Sequence, residues 1–128
     1  MEKIVLDTNI LIEVLKGNQS IVESLEKHNF RYRISSITVM ELYFGALNKA
    51  ELFTLKKFVK LFEIIELNDT ISSISTELIF QYAKSHNLTI PDSLIAATAI
   101  SENSKLYTLN LKDFKYIDGL ALVNIDFL

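Results

Sequence analysis

The chain has no cysteine, one proline and three glycines among 128 residues. Without cysteine there are no disulfides and no thiolate metal sites, and the composition agrees with a cytoplasmic setting. So few glycines and prolines exclude a long flexible linker, and neither an internal repeat nor a low-complexity segment is present. No apolar run approaches the roughly 18 residues of a membrane-spanning helix. The run Ile4-Val5-Leu6, directly behind Met1-Glu2-Lys3, is too short for the apolar part of a secretory signal. The expectation is a protein with no membrane attachment and no export. Positive charge is also scarce: 13 Lys and Arg face 16 Asp and Glu, for a net charge of −3. A protein that coats nucleic acid by charge alone is more often basic. An enzyme that seats a cation in an acidic pocket escapes that argument, because the metal reverses the local field toward phosphate.

Hydrophobic residues make up 49% and charged residues 23%, as expected of one globular domain spanning residues 1–128 with a real core. Residues 3–7 read as a strand covered on both faces. Helices are expected over 9–16 and 20–28, then a strand over 31–35. Thr38 reads as a helix N-cap with Glu41 three positions on, which resembles a capping box. That helix runs on through Leu42, Tyr43, Phe44, Ala46 and Leu47, with Gly45 inside it. A helix over 51–62 and a strand over 63–67 follow. A longer helix starts at Asp69 or Thr70, with Ile71, Ile74, Leu78 and Tyr82 at helical spacing. Pro91 suits the first turn of the next helix. Leu106–Leu109 is a fourth strand and Leu122–Ile125 a fifth. Strands alternating with helices imply an α/β fold: a mostly parallel sheet of about five strands between two helical layers.

Three acids stand where such a fold concentrates its chemistry. Asp7 ends the first apolar run, while Glu41 and Asp92 sit in otherwise apolar helical stretches. Carboxylates there are costly unless paired, hydrogen-bonded or bound to metal. They lie far apart in the chain, so only the fold brings them together. Open α/β sheets bind ligands beyond the carboxyl ends of their strands. Asp7 ends strand one, Ser35-Ser36 ends strand two before Glu41, and Asn110 ends strand four with Asp113 one turn later. Oxygen ligands in that number suit Mg²⁺ or Mn²⁺. Each acid also has an ordinary reading: Asp7 as a turn residue, Glu41 as the partner of Thr38, Asp92 as a first-turn acid, Asp113 as a turn cap. Their agreement on one rim favours the site. His28 and His86, near helix ends, read as surface residues, and Lys56, Lys57 and Lys60 as a solvated face.

Asp7-Thr8-Asn9, the segment Ser36–Leu42, Pro91–Ala97 and Tyr107–Phe114 together resemble a PIN domain, and within that family the VapC-type toxins of toxin–antitoxin pairs. The resemblance covers essentially the whole chain, with the four segments in order. It implies a three-layer α/β/α endoribonuclease that uses Mg²⁺, with Mn²⁺ as a substitute, to cleave RNA phosphodiesters through activated water. It also implies a homodimer in the cytoplasm, neutralised by a cognate antitoxin. On the same ground Asp7, Glu41 and Asp92 are the metal-holding, catalytic acids, and Thr8, Asn9, Ser36 and Thr108 hydrogen-bond the carboxylates or metal-bound water. Many relatives place a fourth acid just after strand four. Here Asn110 holds that position and Asp113 follows, so either is the fourth member.

The apolar excess in Leu11, Leu15, Tyr43, Phe44, Leu52 and Phe53 suggests a groove of residues 9–16 and 43–62 for an antitoxin helix that sends a cation toward the acids. Helices near 38–48 and 70–85 are the expected dimer face. A Mg²⁺-dependent phosphotransfer domain is the rival reading, but its dehalogenase form wants a second Asp at position 9, which is Asn9. A non-catalytic PIN-like binding protein is the other, against which the intact triad speaks.

Overall fold

The computed structural model of the protein describes residues 1–124. Strands Lys3–Leu6 (β1), Arg31–Ser35 (β2), Glu63–Ile65 (β3) and Lys105–Tyr107 (β4) pair in parallel, in the order β3-β2-β1-β4. Helices Thr8–Leu15 (α1) and Gln19–Lys27 (α2) join β1 to β2, and Ser36–Phe44 (α3) and Lys49–Val59 (α4) join β2 to β3. Asp69–His86 (α5) and Ile90–Ser101 (α6) lead to β4.

Side chains alternate across a strand, and β1 uses both sides. Ile4 and Leu6 pack with Ile10, Leu11, Leu42 and Leu55 of the first four helices. Val5 packs against Ile71, Leu78, Ile95 and Ala96 of α5 and α6. Apolar cover on both faces is why the triplet Ile4-Val5-Leu6 is continuous rather than alternating with polar residues. In α6, Ala96, Ala97 and Ala99 are fully buried, a small-residue stripe that lets the helix lie close. Its polar residues are satisfied locally: Thr98 donates to the Leu94 carbonyl at 2.7 Å and Ser93 to the Ile90 carbonyl at 2.7 Å. Ser75 of α5 meets the Ser93 hydroxyl at 2.6 Å and ties the two helices together.

Four sequence expectations change. The fifth strand reduces to a single parallel bridge between Leu106 and Leu122, flanked by Leu106 N–H to the Ala121 carbonyl (2.8 Å) and Val123 N–H to the Leu106 carbonyl (2.9 Å). The edge strand β4 is too short to template more, and Ile125 lies outside the described residues. Thr38 is not an N-cap. β2 passes straight into α3, so Ser35 caps the helix by accepting from Ile37 N–H at 3.2 Å, and Thr38 is buried inside. Gly45 ends α3 rather than sitting within it, with its N–H on the Glu41 carbonyl at 3.1 Å. Leu11 is fully buried in the core and lines no groove; its exposed neighbours on α1 are Ile12 and Leu15.

At the amino end of the sheet, Arg33 of β2 is buried and reaches Glu102 at 2.7 Å and the Ser104 hydroxyl at 3.2 Å, while its Nε has no partner. The pair fastens the end of α6 to the sheet. Breaking one half leaves a buried guanidinium uncompensated, whereas replacing that cation by an apolar chain removes the desolvation cost with it. Glu102→Ala should therefore destabilise the fold by about 2 kcal/mol, less than the roughly 3–5 kcal/mol of a fully buried pair because Glu102 keeps some water. Arg33→Met should cost less. Urea titration of both variants checks this, and a larger loss in Arg33→Met contradicts it.

Candidate active site

The strand order reverses between β1 and β4, and the two residues just past their ends meet there. The Asp7 N–H extends the sheet ladder to the Tyr107 carbonyl at 2.9 Å. The same residue caps α1, its Oδ1 accepting from Thr8 N–H at 2.8 Å. Thr108 Oγ1 donates to the other oxygen, Oδ2, at 2.7 Å. Asp7 is only 5% exposed, so these two bonds replace most of the water it loses. Thr108 is held in turn, accepting from Asn9 Nδ2 at 3.2 Å and from Asn110 N–H at 3.0 Å. Asn9 Oδ1 accepts from Leu109 N–H at 3.3 Å, which pins the turn after β4 to the start of α1.

Glu41 is positioned by a hydroxyl relay. Thr8 Oγ1 donates to Glu41 Oε1 at 2.7 Å and lies 2.9 Å from Thr38 Oγ1. A hydroxyl carries one hydrogen, so Thr38 must donate to Thr8. Thr38 sits one turn before Glu41 on the same helix face. Asp92 comes from the first turn of α6, where its N–H bonds the capping Thr89 hydroxyl at 3.3 Å. Asp113 ends the short 3-10 turn Leu111–Asp113 and is exposed.

These acids act on one another. Burial pushes the Asp92 carboxyl up to about 6, and repulsion from Asp7, Asp113 and Glu41 adds to it; the Thr89 hydrogen bond opposes. Burial also raises Asp7 above the usual carboxylate range, with Glu41 and Asp113 contributing and the Thr108 and Thr8 bonds opposing. Four carboxylates thus share one field. Among the described residues, the ion-paired cations Lys16, Arg31, Arg33 and Lys105 engage Glu13, Glu63, Glu102 and Glu2, none of which belongs to the cluster. The other expected members contribute less. Asn110 is exposed and offers the site only its backbone N–H, and Ser36 makes no hydrogen bond to the acids among the described residues.

The donor chemistry fits a hard divalent cation: all-oxygen ligands, repelling one another, with no ion pair to a cationic side chain among the described residues. Among the described residues, no three His, Asp or Glu side chains are placed to grip one ion at once. Mg²⁺ does not need three direct protein ligands, because it keeps several waters and is usually held by one or two carboxylates.

Two features escaped the sequence reading. Thr38 holds Glu41 through Thr8, for which the three-residue spacing was the available signal. A ring cluster of Tyr82, His86 and Tyr116 lies beside Asp92 and Asp113, whose charges act on Tyr116. Tyr82 and His86 are one helical turn apart, which marks them as neighbours.

The raised carboxyls set a pH dependence. Asp92 holds its proton more tightly in the folded chain, at about 6, than at its ordinary value of 3.8. Ionised, it therefore subtracts stability. The loss is absent below pH 4 and complete above the folded value, and Asp7 shifts in the same sense. In EDTA, Asp92→Asn should raise the melting temperature at pH 7 by about 3–5 °C, the effect of roughly 1 kcal/mol in a domain of this size. The gain should vanish near pH 4. Scanning calorimetry decides, and an Asn variant that melts below the native chain at pH 7 contradicts the repulsion.

Comparison with known proteins agrees with this geometry. The PIN domain profile matches residues 4–120. The chain is 32% identical to Ribonuclease VapC1 of Rickettsia felis, over 95% of this chain and 96% of the relative. It is 32% identical to the tRNA(fMet)-specific endonuclease VapC of Salmonella typhimurium, over 95% and 97%. Its fold superposes on VapBC2 from Rickettsia felis bound to a promoter DNA fragment with a TM-score of 0.81 at 32% identity, covering 97% of this chain and 99% of that one. For DNA-bound VapBC from Salmonella typhimurium the TM-score is 0.84 at 28% identity, covering 96% and 98%. The chain belongs to the PIN-domain family and, within it, to the VapC type.

Proposed function

We propose that this chain is the toxin of a toxin–antitoxin pair, a Mg²⁺-dependent endoribonuclease acting in the cytoplasm. The observation that carries the reading is the cluster of mutually repelling carboxylates, with no ion pair to any of them among the described residues, at the switch point of a PIN fold. Relatives that the chain matches over nearly its full length are named ribonucleases and tRNA(fMet)-specific endonucleases.

Of Asp7, Glu41 and Asp92, one or two would hold the ion directly and the rest through its bound waters. Asp113 is the better fourth member, because its charge acts on Asp7 and Asp92 while Asn110 presents its side chain to solvent. Mg²⁺ or Mn²⁺, when bound, supplies an activated water and neutralises charge on the phosphate oxygens. The protein's share is orientation. Thr8 and Thr108 fix both oxygens of Asp7, and the Thr38–Thr8 relay fixes Glu41, so the ligands are set before RNA arrives. Asp113, exposed on its turn, faces the solvent from which the attacking water comes.

Neutralised acids leave a site that attracts phosphate, and unpaired RNA loops are the natural substrate because their bases splay outward. Asp7→Asn and Asp92→Asn should reduce cleavage of a transfer-RNA substrate to background. Thr108→Val, which keeps the shape and removes the hydrogen bond to Asp7, should lose roughly 10- to 100-fold. Gel-based cleavage in Mg²⁺ and in EDTA reads this out. Native rates in either Asn variant, or activity undiminished by EDTA, would reject the metal-dependent mechanism.

Two exposed apolar faces serve assembly. One is a depression of about 280 Å³ between α1, α3 and α4, lined by Ile12, Leu15, Leu42 and Leu55 with Glu41 at its edge. It takes an apolar antitoxin helix, and Glu41 leads a cationic side chain from that helix to the acids. The second contains Met40, Phe44 and Pro91, with Phe44 94% exposed, and it is our candidate homodimer face. Solved relatives include toxin–antitoxin complexes. Leu15→Asp should weaken the antitoxin complex at least tenfold, a typical loss for a central apolar anchor, and leave the dimer intact. Phe44→Asp should do the reverse. Co-purification with the neighbouring gene product and light scattering separate the two, and variants that leave both assemblies unchanged would reject the assignment.

A further inference from the structure

The ring cluster beside the acids has a form that core packing does not require. α5 ends at His86, and the chain turns through Asn87 in a left-handed conformation (φ 57°) before reaching Asp92 on the same rim. The His86 imidazole lies flat on Tyr116, with centroids 4.1 Å apart and planes 10° apart. Tyr82 meets both rings edgewise, at 5.7 Å and 73° to His86 and at 5.1 Å and 63° to Tyr116. Two hydrogen bonds hold the arrangement. Ser85 Oγ lies 2.8 Å from His86 Nδ1, and Asp118 N–H donates to the Tyr82 hydroxyl at 3.2 Å.

Tyr82 and Tyr116 are half-buried and pack on the core shared by α5 and α6, which accounts for both. His86 is exposed. One of its faces is covered by Tyr116 and its edge by Tyr82, so its accessible surface lies on the opposite face. The stack sits at the turn between α5 and α6, and Asp92 stands in the first turn of α6 directly after it; the charges of Asp92 and Asp113 also act on Tyr116. A fixed, outward-facing aromatic plane suits a single-stranded nucleotide, because the ring can stack a base.

We propose that His86, backed by Tyr116, is a stacking seat for one unpaired RNA base adjacent to the scissile phosphate. The proposal rests on the ribonuclease reading and adds a place where the substrate is held. Every base has a π-face, so the seat fixes where a nucleotide sits rather than which nucleotide it is. His86 and Tyr116 are positioning residues here, remote from the reacting atoms.

The test is an abasic walk. Fluorescence anisotropy measures binding of a short single-stranded RNA to the Asp92→Asn protein in EDTA, where the RNA stays intact and one repelling charge is gone. An abasic residue is moved along the RNA one position at a time. His86→Ala should weaken binding of the intact RNA roughly tenfold, within the range for loss of one base stack. One abasic position should weaken binding to the His86 protein by a similar factor and bring no further loss in His86→Ala. His86→Phe, which keeps a stackable ring, should retain the affinity. A merely structural role for His86 would produce losses that add at every abasic position, and that result overturns the proposal. So does His86→Ala binding as tightly as its parent. Cleavage by the chain with native acids is measured separately. Absence of cleavage with the His86 coupling intact would defeat the nuclease reading and keep the seat, whereas cleavage without coupling would defeat the seat alone.

Discussion

Repulsion among Asp7, Glu41, Asp92 and Asp113 is the constraint around which the rest of the rim is arranged. A chain selected only for stability would not bury Asp7 against the field of three other carboxylates. The fold tolerates the cluster through hydroxyl and amide donors rather than cations. Thr8, Thr108 and Thr38 carry the hydrogen bonds, and Asn9 and Asn110 hold Thr108 in place. That choice has a chemical consequence. A lysine or arginine in the cluster would satisfy the acids permanently, whereas neutral donors hold them still and leave their charge in place.

The fold delivers these groups to one place by its strand order. β1 and β4 are neighbours although nearly the whole chain lies between them, so Asp7 and Thr108 meet where the crossovers part to opposite sides of β1. β2 runs without a loop into α3, which sets Thr38 and Glu41 over the same rim. α6 is buried nearly all round, and that burial holds Asp92 steady at its exposed first turn. Packing of α5 on α6, reinforced by the Ser75–Ser93 contact, places His86 beside them.

Much of this was legible in the sequence, for specific reasons. The triplet Ile4-Val5-Leu6 can only be a strand covered on both faces, and an acid directly behind it must sit at the strand's carboxyl end. The acids of the site were therefore visible as polar residues in apolar surroundings. The errors also have physical causes. Thr38 carries the local signature of a cap, Ser/Thr three residues before Glu, and only the direct passage from β2 to α3 turns that residue inward. Leu11 and Leu15 share a helix face one turn apart, and periodicity alone does not tell that the first is core and the second is exposed. The fifth strand expected over Leu122–Ile125 is a single bridge among the described residues, because its partner β4 is too short to pair with it further. The His86–Tyr116 stack joins two distant segments through tertiary contacts, which no local pattern encodes.

The central claim is that the rim is built to hold a divalent cation, and thermal unfolding as Mg²⁺ is added tests it most directly. A ligand that binds only the folded state stabilises it in proportion to the logarithm of its concentration once the site fills. The account predicts a melting temperature that climbs with millimolar Mg²⁺ at pH 7. The climb should shrink at pH 5, where protons occupy the raised carboxyl of Asp92, and it should disappear in Asp7→Asn. A melting temperature indifferent to Mg²⁺ at pH 7, or one that rises equally in Asp7→Asn, would contradict it.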